Sequence, residues 1–382
     1  MNIVLKKVGI LTSAQSFGDN YGAVLQAYAL STVLKSMGYE PNIIKYKVAG
    51  EYVNHSAPLA ERLKTTLFNK EMSVHAKKTL IANKLMHKSV NGVFWNFVNN
   101  YLDFYNEEFI GFDELKKNPP DFSCFITGSD QVWNPVIHGN KNDPGYFLDF
   151  APKGAKRIAY APSIGVDKIP EECEKSLGGF LEKFDALSIR EKSGADIIKK
   201  CCGIDIPVML DPTLLLSAKE WDEIAKKPDN LPDKYVFCYK FGKSETMDKT
   251  IKHISKKYRL PIVTAPSSPE VKFTADYSIG PSEFLGAIKN ATLVCADSFH
   301  ATVFSIIYKK PFLIFPRHTE GEINMNSRME NILETFALKE RYIPENSEFD
   351  DSKLFELSFE YANRVLEEKI KESKNYLHNS LN

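Results

Sequence analysis

Five short segments, each following an apolar run, hold side chains suited to acid–base chemistry or to binding anions and hydroxyls. In Leu293–Ala301 (LVCADSFHA) the apolar run ends at Asp297, and Ser298 is an apt helix N-cap, so His300 falls in the first turn of the next helix. A helix N-terminus and a bound phosphate act on an imidazole in opposite senses, and a histidine so placed suits proton transfer near neutral pH. Without a partner in view, a lone histidine after a strand is more often structural. The run Ala186–Ile189 ends in Arg190, whose planar fork can hold a carboxylate or phosphate bidentately at a cleft rim. The alternative is a salt bridge to Glu191 or Glu182. Gly128–Pro135 (GSDQVWNP) offers Ser129, Asp130, Gln131 and Asn134 to hydroxyls and the indole of Trp133 to the face of a sugar ring, while Asp130 also suits a plain turn. Phe17–Gly22 (FGDNYG) places Asp19, Asn20, Tyr21 and Gly22 at the start of a helix, with Gln26 one turn further on. Free N–H groups there suit a ligand, and Asp19 or Asn20 equally suits an N-cap. Last, Pro316-Arg317-His318 and Asn324–Arg328 bring Arg317 and Arg328, which could close over an anion or be surface charges.

Such residues need a scaffold that brings distant segments together. Apolar runs at Val8–Thr12, Asn42–Lys45, Cys124–Thr127, Arg157–Ala161, Ala186–Ile189 and Val208–Leu210 alternate with helical patterns at Ala23–Met37, Glu171–Phe184 and Glu191–Lys200. The alternation restarts with strands at Tyr235–Tyr239, Ile262–Thr264, Leu293–Ala296 and Phe312–Phe315. Lys226–Lys234, rich in Pro, Asp, Asn and Lys, reads as a linker. Strand–helix–strand spacing of this kind predicts parallel sheets with right-handed crossovers. The chain is therefore read as α/β, with two doubly wound, Rossmann-like domains at 1–228 and 229–345 and a cleft between the carboxyl ends of their sheets. A C-terminal helix within 350–378 is expected to pack back on the first domain.

The length of 382 residues fits two domains at roughly 100–200 residues each. Equal totals of 49 basic and 49 acidic residues argue against a nucleic-acid binder, whose affinity rests on neutralising phosphates. Six scattered cysteines without a C-x-x-C pair read as reduced thiols. No signal-peptide pattern or bilayer-length apolar run is present in the sequence, so a cytoplasmic protein is expected. Within 57–92, Leu63, Leu67, Val74, Ile81 and Leu85 form an apolar stripe flanked by lysines. This basic stretch is either an insertion packed on the core or a helix able to lie on an anionic membrane. No metal-ligand spacing, Walker loop or G-x-G-x-x-G stands out. Asp19, Asp130, Asp211 and Asp297 follow strands in separate segments, which gives a magnesium site little support.

Taken together, GDNYGAVLQAYAL from Gly18, GSDQVWNP from Gly128, LSIREKSGADII from Leu187, LDPTLLL from Leu210, ADSFHA from Ala296 and NSRMENIL from Asn326 resemble the polysaccharide pyruvyl transferase family, in family order. The resemblance implies a fold similar to the GT-B glycosyltransferases. It also implies transfer of pyruvate from phosphoenolpyruvate to a sugar diol as a cyclic ketal, without a further cofactor. Arg190 and His300 correspond to positions that contact the donor, and Asn20–Gly22 with Ser129–Asn134 to the acceptor side. Many members carry arginine two residues before the histidine, where this chain has Ser298. Arg317, Arg328 or helix N–H groups would then hold the phosphate, with Asp130 or Asp19 taking a hydroxyl proton. The expected partners are phosphoenolpyruvate and a saccharide acceptor, which the basic stretch would let be lipid-linked. A sugar-nucleotide glycosyltransferase and a non-catalytic saccharide-binding protein are the alternative readings.

Overall fold

The computed structural model describes residues 6–14, 17–48, 92–265, 279–317 and 326–382. The basic stretch at 57–88 lies outside them, as do His318 and Asn324.

In the first domain β1 (Lys6–Leu11) leads to α1 (Tyr21–Ser36), then β2 (Tyr39–Lys47), a helix described from 92 to 101 (α2), β3 (Phe104–Ile110), α3 (Phe112–Lys117), β4 (Cys124–Thr127) and β5 (Lys156–Ala159). The five strands are parallel and ordered β3-β2-β1-β4-β5, the arrangement of a doubly wound sheet. α4 (Glu171–Leu181) and α5 (Lys192–Cys202) follow. The runs 186–189 and 208–210, read from sequence as strands, continue the sheet only through the single bridges Ile158–Ala186 and Ile189–Val208. A 3-10 turn at Pro212–Leu215 and α6 (Ala218–Asp222) lead to the second domain. Its elements are β6 (Val236–Tyr239), α7 (Glu245–Tyr258), β7 (Ile262–Thr264), α8 (Pro281–Asn290), β8 (Leu293–Ala296), α9 (Phe299–Ile307), β9 (Phe312–Ile314) and α10 (Ser327–Thr335). Its sheet is also wholly parallel, ordered β7-β6-β8-β9. α11 (Glu360–Leu381) is the last element.

The period-2 alternation of each strand sorts the cores. Val8, Ile10, Ile126 and Ile158 face one core and Leu11, Phe125 and Ala159 another. In the second sheet Phe237, Val294 and Ile314 join the same core as Val8, while Val236, Cys295 and Leu313 face a third. One apolar core thus runs continuously between the two domains. Tyr21 crosses it, stacked on Phe284 at 4.3 Å and donating its hydroxyl to the Ile279 carbonyl at 2.6 Å. α11 buries Leu377 and Leu381 in that core, accepts the Leu210 N–H on Ser373 Oγ at 3.1 Å and donates from Tyr376 to the Ala159 carbonyl at 2.9 Å. The Ser373 bond fastens the segment just before Asp211. The segments that follow β1, β4, the Ile189 and Val208 bridges, β8 and β9 all leave from carboxyl ends, where doubly wound sheets bind ligands.

Candidate active site

The geometry centres on Asp211, a buried carboxylate just after the 208–210 run. Its Oδ1 accepts the Thr213 N–H at 3.0 Å and the Thr213 hydroxyl at 2.6 Å, capping the 3-10 turn. That leaves Oδ2 for the site: Arg190 Nη1 donates to it at 2.7 Å, Ser129 Oγ lies at 3.0 Å and His300 Nε2 at 3.5 Å. One oxygen of the first domain thereby joins an arginine of that domain to a histidine of the second. Burial favours the neutral acid, but the charges of His300 and Arg190, with the hydrogen bonds from Arg190 and Thr213, outweigh it and hold Asp211 well below the usual carboxylate range.

Ser298 caps α9 by accepting the Ala301 N–H, which sets His300 in the first turn with its ring against the start of α1. A Cβ on Gly22 would stand 2.0 Å from His300 Nδ1. Gly22 therefore matters for its lack of a side chain rather than for a ligand contact. Gly22→Ala should push the imidazole off Asp211 while suiting α1 as a helix residue. A misplacement of about 1 Å costs roughly 10²-fold in turnover. Steady-state rates beside a thermal melt check this, and an active variant with unchanged rates would show that the ring has room to move.

Arg190 is buried, and its guanidinium lies over the Phe299 ring at 4.5 Å. Of the alternatives open in sequence, its close ion pair is with Asp211, and Glu191 Oε2 stands 3.6 Å from Nε. Glu191 is itself committed through Oε1 to Ser163 Oγ and the N–H groups of Ile164 and Gly165. Among the described residues Arg190 Nε and Nη2 have no hydrogen-bond partner, and with Glu191 Oε2 facing Nε at 3.6 Å, Nη2 is the donor of that edge left to meet an anion. Arg317 donates from Nη2 to the Asp297 carbonyl at 3.0 Å and stacks on Phe241 at 4.2 Å. The Asp297 carboxylate accepts the N–H groups of Phe241 and Gly242, and burial raises its pKa despite Arg317. Arg328 is buried, with Arg190, Arg317, Glu191 and Asp130 acting on it through space.

The acceptor-side residues divide. Trp133 corrects the sequence reading: it is 2% exposed, stacked on Phe147 at 4.9 Å, and donates Nε1 to the Tyr146 carbonyl, so its face is spent on the core rather than on a sugar. Tyr21 is likewise wholly buried in the inter-domain core. Asn20 accepts the Ala23 N–H as the α1 cap. Gln26 is fully buried, donating to Thr12 Oγ1 and accepting from the Ser129 N–H, and thereby ties α1 to the 128–134 loop. Asn134 donates to Gln131 Oε1 and is fully buried. These side chains hold the two loops in place instead of lining a site. Asp130 has left-handed backbone, φ 65°, and its carbonyl accepts the Ser163 N–H, while its carboxylate acts on both Arg190 and Arg328. Asp19 is exposed at the α1 start. Sequence reasoning weighed Asp211 only among the aspartates of a weakly supported magnesium site and did not place it with the catalytic or binding residues. The available signal was an aspartate after an apolar run followed by Pro-Thr, the pattern of an N-cap whose second oxygen is left over.

Among the described residues no group of three or more His, Cys, Asp or Glu side chains is placed to hold a metal ion, and no helix is long and apolar enough to cross a membrane. A search of curated proteins finds no match. Similar solved structures include a UDP-GlcNAc 2-epimerase from Methanocaldococcus jannaschii, at 13% identity and TM-score 0.41 over 97% of this chain and 93% of that one. The Streptomyces sp. SF2575 glycosyltransferase SsfS6 is similar at 10% identity and TM-score 0.37, over 99% and 100% of the two chains. The E. coli heptosyltransferase WaaC is similar at 11% identity and TM-score 0.36, over 95% and 99%. At scores this low the likenesses bear on no reaction of this chain. The family model described as polysaccharide pyruvyl transferase, by contrast, matches residues 20–319, which include Gly22, Ser129, Arg190, Asp211 and His300, and the chain belongs to that family.

Proposed function

We propose that the protein transfers the pyruvyl group of phosphoenolpyruvate to two hydroxyls of a saccharide, forming a cyclic ketal and releasing phosphate, in the cytoplasm. The observation that carries this reading is the meeting of Arg190 and His300, from different domains, on one oxygen of Asp211. The free edge of Arg190 holds the donor carboxylate. His300, as imidazolium beside Asp211, gives its proton to the methylene carbon, which becomes the methyl group. C2 turns cationic and one sugar hydroxyl adds to it, its proton passing to Asp130. The C2–O bond to phosphate then breaks, the second hydroxyl closes the ring, and its proton leaves with phosphate or returns to His300. The phosphate leaves from near the N-terminus of α9, whose N–H groups favour negative charge.

The test is phosphate release from phosphoenolpyruvate in the presence of saccharide diols, with the product's mass read for the added pyruvyl group. Arg190→Ala is expected to raise the donor KM by about 10–100-fold, the worth of a charge-assisted hydrogen-bonded contact. A rise confined to the acceptor KM would move Arg190 to the other subsite.

A further inference from the structure

The first domain holds a second hollow, a cavity of about 330 Å³ that shares no residue with the Arg190–Asp211–His300 site. In its wall Val48 follows β2, Gly111 and Phe112 follow β3, and residues 138–144 extend the loop that leaves β4 through Ser129. These strands run parallel, so the cavity lies on the same carboxyl rim as the site. β2 is two strands from β4, about 10 Å along that rim. Asp143 is 8% exposed. Its Oδ1 accepts the Tyr46 hydroxyl at 2.8 Å and the Gly145 N–H at 2.9 Å, whereas among the described residues Oδ2 accepts only that same hydroxyl, at 3.0 Å. Asn142 donates Nδ2 to the Cys173 carbonyl and to Ser176 Oγ, which leaves its carbonyl oxygen. Lys141 and Asp113, both exposed and of opposite charge, are also in the wall. Ile110, 49% exposed, and the half-buried Phe112 supply apolar surface.

We infer that this cavity holds a second, uncharged sugar of the acceptor, away from the diol that receives pyruvate, so that the acceptor is an oligosaccharide and not a single sugar. The inference rests on the saccharide reading above and adds the acceptor's length to it. At roughly 30 Å³ per water-sized group the space takes about eleven groups, close to the non-hydrogen atoms of one hexose. The spare oxygens of Asp143 and Asn142 accept hydroxyls of the ring, Lys141 donates to another, and the C–H face of the ring lies against Ile110 and Phe112. An anion would face the buried Asp143 and a cation would face Lys141, whereas a neutral polyol meets neither penalty. The separation along the rim exceeds one pyranose ring, so a lone sugar cannot fill the cavity and reach His300 at once, while linked sugars can.

The test is calorimetry without phosphoenolpyruvate, titrating glucose and galactose and then maltose, cellobiose and lactose. The wild type is expected to bind at least one disaccharide more than about tenfold more tightly than its component sugars, because the second ring adds hydrogen bonds to charged groups. Asp143→Asn and Lys141→Glu each remove such a bond and should cut that affinity by more than about tenfold, to near that of the single sugar. Lys141 is exposed, so Lys141→Glu is expected to melt with the wild type, which separates loss of a ligand contact from loss of structure. With no donor present, phosphate release can fail while this ranking holds, and the ranking can fail while phosphate is released. No disaccharide preferred over its component sugars, no saccharide bound by the wild type, or full disaccharide affinity in both variants would each overturn the inference.

Discussion

Asp211→Asn is expected to cost the protein both stability and turnover while leaving the shape of the side chain in place. The carboxylate is buried beside Arg190, and removing one partner of such a pair costs about 3–5 kcal/mol because the other charge is left uncompensated. Its folded-state pKa lies below its unfolded value, so the unfolded chain binds the proton first as acid is added. The stabilising contribution is therefore complete above about pH 4 and is lost progressively below it. Denaturant midpoints measured from pH 3 to 8 should show Asp211→Asn weaker than wild type at neutral pH and with a shallower acid limb. The same substitution frees His300 from the oxygen 3.5 Å away and leaves Arg190 without its anchor. Turnover should fall by on the order of 10²-fold, as for a catalytic group misplaced by about an ångström. Wild-type stability across the range would mean that the three groups do not form one electrostatic unit.

His300→Ala carries the second large effect. Positioned acid catalysis supplies roughly 10²–10⁴-fold, so its loss should raise the barrier by about 3–5 kcal/mol. The donor KM should move far less than turnover, because the Arg190 edge that holds the carboxylate remains. The helix is not at risk: Ser298 still caps α9 and alanine is a better helix former than histidine. Near-wild-type rates would remove the acid role from His300 and leave Asp130 as the candidate for proton transfer.

Strand positions were legible wherever both faces of a strand are buried. Cys124–Thr127 and Leu293–Ala296 read from sequence as the structure draws them, since a core strand in a parallel sheet is a short apolar run between polar breaks. β3 escaped because it is an edge strand whose FYNEEFI residues are mostly exposed, so no apolar pattern marks it. Runs 186–189 and 208–210 have strand composition, yet pair by single bridges because the chain leaves the sheet at once toward Arg190 and Asp211. The placement of Arg190 and His300 after strands was also readable. What held them together was not, because a carboxylate shared by two distant segments is a three-dimensional fact and Asp211 looks like an ordinary turn cap. Trp133, Gln26 and Asn134 were misread for the converse reason. Polar and aromatic side chains in a loop look alike whether they meet a ligand or satisfy buried neighbours, and here Ser129, Tyr146 and Gln131 take them up.

The central claim is that the free edge of Arg190 beside Asp211 and His300 receives the enol ester. Titration calorimetry of phosphoenolpyruvate against the wild type and Arg190→Lys addresses it most directly, because lysine keeps the charge toward Asp211 but has no second edge. The account predicts binding to the wild type and about 10–100-fold weaker binding to the variant, whereas equal affinities, or no binding by the wild type, would contradict it.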